Sequence, residues 1–238
     1  LRDRTSKQIL RRLKEDVLDL PDKIITPVYL RTSSKEYKDM MGEYYEWLEN
    51  KTEESSSLSI QFSKLMKVRK VIANEKVKQT IEFAENIIEQ GKKVIVLTNF
   101  TMTLDMLHEK YKKNSVTLDG RMSKDKRQEN VDRFQTEDKI KVFIGNIKAA
   151  GVGITLTAAE VVIMNDLSFV PADHSQGEDR AYRYGQTKGV LVYYPIFENT
   201  IERVIYNILQ KKKNVIGQVM GDGEYSESFS RDLLKSLL

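Results

Sequence analysis

Between Lys93 and Lys213 short apolar runs alternate with longer amphipathic ones, and this alternation narrows the possible folds more than any other feature. Lys93–Thr98, Ser115–Leu118, Lys141–Ile144, Val161–Asn165 and Val190–Tyr194 read as strands. Segments near Met102–Lys112, Lys124–Phe134, Gly153–Ala159, Ala172–Tyr184 and Thr200–Lys213 read as helices between and after them. Repeated strand–helix units imply an α/β fold: a parallel sheet with helices on both faces. Ligands on such sheets lie at the carboxyl ends of the strands. Thr98-Asn99, Asp119-Gly120-Arg121, Gly145–Gly153 and Asp166 fall at those ends, so one edge gathers four polar or glycine-rich segments.

The first third of the chain reads differently. Thr5–Leu18 has the pattern of an amphipathic helix that stops at Leu20-Pro21. Lys23–Arg31 alternates, with Ile24, Val28 and Leu30, and reads as a strand. Ser33–Asn50 is helical, and its Tyr37, Met40, Met41, Tyr44, Tyr45 and Leu48 have the spacing of core residues. A polar loop at Lys51–Ser57 leads to a second helix, Leu58–Ile72. Asn74 is placed to cap a third helix and Gly91 to end it. At the other end, Gly221–Ser228 reads as a linker and Arg231–Leu238 as a short final helix.

Composition excludes several chemistries. The chain has 238 residues, no Cys and two His, so disulfides, zinc–thiolate sites and His-rich metal centres are out and no metal site is expected. No apolar run approaches a membrane span, and Leu1–Lys14 is too charged for a signal peptide. The net charge of +4 permits local nucleic-acid patches without arguing for them.

Residues 173–186 carry the densest chemistry. Pro171 precedes them, Asp173 is a candidate cap and Gly185 a candidate stop. On a continuous helix Gln176, Arg180 and Arg183 stand at i, i+4 and i+7 and share one stripe. Two guanidiniums beside a Gln form a donor array suited to a phosphate chain. The plainer alternative is an exposed Asp179–Arg183 ion pair with Arg180 solvated. Upstream, Gly151 and Gly153 would let the backbone approach a ligand in a strand-to-helix turn.

These residues carry a family resemblance. Gln176-Gly177-Glu178-Asp179-Arg180-Ala181-Tyr182-Arg183-Tyr184-Gly185-Gln186 is similar to motif VI of the Swi/Snf-type ATPases, the DNA-translocating branch of helicase superfamily two. It departs from that motif mainly in Tyr182, where the family has His. Ala149-Ala150-Gly151-Val152-Gly153-Ile154-Thr155-Leu156-Thr157-Ala158-Ala159 is similar to motif V, with Gly145-Asn146 where the family often has Ser or Thr. Val94–Phe100 resembles motif IV, Leu118–Ser123 the segment after it, and Leu10–Lys23 the entry into the second RecA-like lobe. Thr200–Ile205 resembles the start of the closing helix. The glycine and threonine pattern of motif V looks closest to the annealing-helicase-like subgroup.

The resemblance implies a RecA-like second lobe with a helical insertion near the N-terminus. It divides the chain into an entry segment (1–32), a helical protrusion with a linking helix (33–90), a core with motifs IV to VI (91–215) and a C-terminal linker and helix (216–238). It implies Arg180 and Arg183 as arginine fingers, with Gln176, Asp179, Gly151 and Gly153 on the nucleotide side. Thr98, Asn99, Arg121, Lys124 and Lys148 are the candidate donors to a duplex DNA backbone. No Gly-x-x-x-x-Gly-Lys-Ser/Thr occurs in the sequence, so ATP and Mg²⁺ would be bound mainly by a separate P-loop lobe and the chain alone would be inactive. No oligomer is expected. The setting would be intracellular: cytoplasmic for a prokaryotic or phage chain, nuclear for a eukaryotic one. The other readings are the equivalent lobe of a strand-separating RNA or DNA helicase, and a non-catalytic nucleic-acid-binding scaffold.

Overall fold

The computed structural model describes residues 19–50, 58–150 and 153–216. The expected helices at Thr5–Leu18 and Arg231–Leu238, the linker Gly221–Ser228, the loop Lys51–Ser57 and Gly151 lie outside these residues.

Six parallel strands form one sheet in the order β1-β6-β5-β2-β4-β3. They are β1 (Lys23–Leu30), β2 (Val94–Thr98), β3 (Ser115–Leu118), β4 (Val142–Asn146), β5 (Val161–Met164) and β6 (Val190–Phe197). Each lies within a few residues of its expected place. Three of the four inner strands, β2, β4 and β5, are buried on both sides, and their alternate residues feed two separate cores. Ile95, Leu97, Phe143, Val162 and Met164 pack on one face, with Leu65, Phe134, Ile201 and Ile205. Val94, Val96, Val142, Ile144, Val161 and Ile163 pack on the other, with Ala84, Ile87, Leu104 and Leu107. The sheet is therefore doubly covered, as the alternation demands.

The insertion is a pair of helices, α1 (Lys35–Asn50) and α2 (Leu58–Glu75), packed on each other. Tyr37, Met41, Tyr44 and Leu48 make the buried stripe of α1 at helical spacing. Asn74 is not a cap. Helix α2 runs through it, and after a single turn residue, Lys76, the chain continues as α3 (Val77–Glu89). Asn74 instead accepts a hydrogen bond from Thr103 on α4 (Thr101–Tyr111), at 2.8 Å. Gly91 does terminate α3, with φ of 77° in the left-handed region.

The turn at Lys76 has an electrostatic anchor. Its side chain is fully buried and donates to Glu202 at 2.5 Å and to the Pro195 carbonyl at 2.7 Å. Glu202 belongs to the closing helix α8 (Ile201–Ile216) and also accepts the Phe197 amide. This pair ties the insertion to β6 and α8 across the domain. The remaining helices are α5 (Lys124–Thr136), α6 (Ile147–Ala150) and α7 (Pro171–Glu178). None of the helices, among the described residues, is long and apolar enough to cross a membrane.

Removing Lys76 alone strands a buried carboxylate. Lys76→Met is expected to cost about 3–5 kcal/mol, and pairing it with Glu202→Leu to recover much of that loss. Urea unfolding midpoints of the two variants check this.

Candidate functional site: an arginine turn and a basic edge

The connection from β5 to β6 holds the arginines. Helix α7 begins with Pro171 at its first turn and Val170 as cap residue. Asp173 is not the cap; its carboxylate accepts the Ser168 hydroxyl at 2.6 Å. The helix lies close on the sheet because residue 177 is glycine. A β-carbon there would stand 2.7 Å from Leu97 Cδ1 and 2.9 Å from Met164 Cε.

Helix α7 ends at Glu178, so Arg180 and Arg183 do not extend its stripe. The expected helix Ala172–Tyr184 is too long, and the i, i+4, i+7 alignment with Gln176 does not form. Gln176 remains exposed on α7. The chain passes instead through turns to Gly185, whose φ is 94°. The expected Asp179–Arg183 pair is also not what the structure shows for Asp179, which takes the Lys23 ammonium at 3.4 Å.

The two arginines nonetheless converge. Arg180 donates to the Ile154 carbonyl at 3.2 Å, and Arg183 to the carbonyls of Gly153 and Ile154 at 3.2 and 3.3 Å. The Leu156 amide donates back to the Arg180 carbonyl at 2.9 Å. Residues 153–159 form an irregular segment, not the expected helix; the helix of this connection is α6, directly after β4. Gly153 is exposed and has φ of 60°, which suits glycine. Burial, then the Arg183 charge beside it, lower the Arg180 pKa. Two cations held by carbonyls at one place make a strongly anion-seeking spot.

Gln186 locks the turn. Its amide donates to the carbonyls of Thr157, Ala159 and Ala181, and its oxygen accepts the amides of Thr187 and Lys188. Glu178 and Lys23 lock the entry to the turn. Glu178 accepts the Tyr194 hydroxyl at 2.7 Å and the Lys23 ammonium at 3.1 Å. Burial works to lower the Lys23 pKa, but Glu178 and Asp179 outweigh it and hold the amine above its usual value. Glu178 and Gln186 stand inside the motif VI spelling and Lys23 at the end of the entry segment, but residue type gave them no role; the Lys23–Glu178 contact joins residues 155 apart in sequence.

The second cluster lies at the carboxyl ends of β2, β3, β4 and β5. Asp166 is its hub. It accepts from the Thr98 hydroxyl at 2.5 Å, from the Asn99 amide and side chain at 3.0 and 2.7 Å, and from Asn165 at 3.4 Å. Thr98 is fully buried, so it cannot donate to a ligand as expected; it orients Asp166 instead. The Asn99 carbonyl accepts from Asn146, and Asn146 caps α6 by accepting the amides of Lys148 and Ala149. Lys148 is thereby presented, exposed, at a helix start. Arg121 is pinned between Asp119 and Asp105, at 2.5 and 2.6 Å, with about half its side chain exposed. Lys124 is exposed at the start of α5, capped by Ser123.

The segments after β2, β3, β4 and β5 leave from the carboxyl edge, as expected, while the arginine turn runs back toward the amino edge. A helix that follows β5 must return the chain to the amino edge to begin parallel β6. Gln186 accordingly reaches Ala159, just ahead of β5, and Lys188 pairs with Glu160 at 2.6 Å.

Comparison with known proteins adds to this geometry. Residues 64–185 match the model of the helicase conserved C-terminal domain. The chain is 35% identical over 225 residues to a homolog of SWI/SNF-related matrix-associated actin-dependent regulator of chromatin subfamily A-like protein 1 from Caenorhabditis elegans, covering 89% of this chain and 31% of that protein. It is 32% identical over its whole length to an uncharacterized ATP-dependent helicase of Mycoplasma pneumoniae, covering 25% of it. It thus spans a quarter to a third of these relatives. Among solved structures, the Sulfolobus solfataricus SWI2/SNF2 ATPase core in complex with dsDNA superposes with a TM-score of 0.70 at 27% identity, covering 98% of this chain and 55% of that one. The C-terminal part of the Fun30 ATPase domain shares the fold, with a TM-score of 0.64, 21% identity, and coverage of 92% and 98%.

Gln186→Ala would leave three carbonyls and two amides of the turn without their partner. It is expected to cost about 1–3 kcal/mol, read from the thermal or urea unfolding curve.

Proposed function

Because this chain belongs to the helicase conserved C-terminal domain family, with SWI/SNF-related ATP-dependent helicases as its relatives, we propose that it is the second lobe of an ATP-driven duplex-DNA translocase. The observation that carries the reading is the meeting of Arg180 and Arg183 at the Ile154 carbonyl. Few structural roles bring two guanidiniums to one carbonyl beside an exposed glycine. A γ-phosphate offers them the negative oxygens that the carbonyls only partly replace.

In this reading a P-loop lobe of the same protein binds ATP with Mg²⁺. Among the described residues no group of three or more His, Asp or Glu is placed to hold a metal ion. Closure of the two lobes brings Arg180 and Arg183 onto the phosphate that will leave. Their charge stabilises the transition state, the role of arginine fingers. Gly153, with Gly151 beside it in sequence, lets the backbone approach the nucleotide, and Gln176, exposed on α7, is the further nucleotide-side residue of this reading. Asp179 orients the turn through Lys23 rather than acting as a base. This chain alone does not hydrolyse ATP.

The carboxyl edge holds the DNA backbone. Lys148, Lys124 and Arg121 supply the charge; Asn99 sits beside them and Thr98 fixes the loop from behind. Arg121 exchanges part of its Asp105 pairing for a phosphate oxygen. These are backbone contacts, so binding is independent of sequence and falls steeply with salt. Alternate opening and closing of the lobes then moves that grip along the duplex.

The test is DNA-stimulated ATPase activity of this chain alone, of the longer protein with its P-loop lobe, and of that protein carrying Arg183→Ala. The expected results are no turnover, turnover, and a loss of about a hundredfold or more. Hydrolysis by this chain alone, or an Arg183→Ala variant with undiminished kcat, would sink the reading. For the DNA edge, Lys148→Ala in the longer protein should weaken duplex binding alike for all sequences and reduce the salt slope by about one. Fluorescence anisotropy across a salt series reads this out.

A further inference from the structure

The proposed finger residues sit on irregular backbone, and something must hold that backbone still. Glycine at 185 and the absence of helix beyond Glu178 give the turn little stiffness of its own. Gln186 secures its far end. At its near end a single side chain from a distant strand makes three contacts. The Lys23 ammonium lies 3.1 Å from Glu178 Oε2, 3.4 Å from Asp179 Oδ1 and 5.1 Å from the ring centre of Tyr182. Those three residues bracket Arg180 on both sides.

Lys23 is well placed to act as a fixed post. It is the first residue of β1, opposite Val190 in the register of the β1–β6 pair. Its ammonium is partly sheltered, with 22% of the side chain exposed, while Glu178 is almost wholly buried. Tyr194 of β6 holds the other oxygen of Glu178 at 2.7 Å. The edge strand β1 and its neighbour β6 thus grip the last residue of α7 from both sides, one residue short of the cap and two short of Arg180. Distances of this kind in a sheltered setting are short enough to define one orientation of the helix end.

We propose that Lys23 is a positioning residue for the arginine turn: the Lys23–Glu178/Asp179 clamp, backed by Tyr194, sets where Arg180 and Arg183 stand when the lobes close. Lys23 touches neither nucleotide nor DNA. This inference rests on the arginine-finger reading above. It also makes the start of β1, where the chain enters the sheet, mechanically continuous with the catalytic turn. Displacement of reacting groups by about 1 Å lowers rates by up to about a hundredfold, so a loosened turn has a kinetic signature.

The experiment uses the longer protein with its P-loop lobe and four variants: Lys23→Met, Lys23→Arg, Tyr194→Phe and Arg183→Ala. Lys23→Met should lower the ATPase kcat by about tenfold. Its duplex affinity and the DNA concentration for half-maximal stimulation should change by less than about twofold, because the DNA edge lies at the opposite ends of the strands. Lys23→Arg, which keeps the charge, should restore most of the rate. Tyr194→Phe removes one hydroxyl from the clamp and should give a smaller fall of about threefold, which keeps the test open if Lys23→Met folds poorly.

The inference is overturned if Lys23→Met and Tyr194→Phe keep the parental kcat while Arg183→Ala loses it. It is equally overturned if Lys23→Met lowers kcat and duplex affinity together in proportion to the loss of folded protein, the mark of a merely structural residue. An Arg183→Ala variant with full activity would instead defeat the finger reading itself.

Discussion

Every strand in the sheet runs parallel to its neighbours, and this single constraint arranges everything else. Each connection must carry the chain from the carboxyl edge back to the amino edge before the next strand begins. Loops that leave β2, β3, β4 and β5 therefore gather at one edge, while the segments that re-enter gather at the other. The basic loops and the arginine turn are separated for this reason. Gly177 adds the second condition: without a side chain, α7 can lie against Leu97 and Met164.

Buried polar groups bind these pieces into one body. Asp166 gathers Thr98, Asn99 and Asn165 at the centre of the sheet, and Asn165 in turn meets Thr80 on α3 at 2.7 Å. Arg69 of α2 donates to the Leu167 carbonyl and stacks on Phe169, 4.0 Å from its ring centre. Lys76 and Glu202 join the insertion to the closing helix. Each group is satisfied by partners on other elements, so loosening one would expose a buried donor or acceptor elsewhere. The insertion is thus fastened to the same loop, after β5, that leads into α7.

The site's electrostatics are divided in the same way. At the carboxyl edge Arg121 is balanced by Asp105 and Asp119, and Lys148 is offered by a capped helix start. At the arginine turn Lys23 pairs with Glu178 and Asp179, while the guanidiniums of Arg180 and Arg183 donate to carbonyls of residues 153 and 154. One edge pairs its arginine with carboxylates, and the arginine turn pairs its guanidiniums with carbonyls.

Strands were legible because their signal is local. Val94–Leu97 or Val161–Met164 is apolar throughout and too short for a helix, which suits a strand covered on both faces. Helix α1 was legible because Tyr37, Met41, Tyr44 and Leu48 repeat at helical spacing. The chemistry of Arg180 and Arg183 could be read from their type and spelling, but their geometry could not. A continuous helix through Tyr184 would have satisfied the local pattern. Where it breaks, Gln186 reaches the carbonyls of Thr157 and Ala159 far back in the chain and three backbone groups nearby, and Glu178 finds Lys23 and Tyr194. Asn74 is not a cap because α2 runs through it to Glu75, and the chain turns at Lys76, where the buried pair with Glu202 forms. The sequence by itself determined the alternation, the doubly covered sheet and the residue types of the site, since period and composition act within a few residues. Tertiary structure alone decided which loops share an edge, where helices stop and what holds the arginines, because those outcomes depend on hydrogen bonds and ion pairs between residues far apart in the chain.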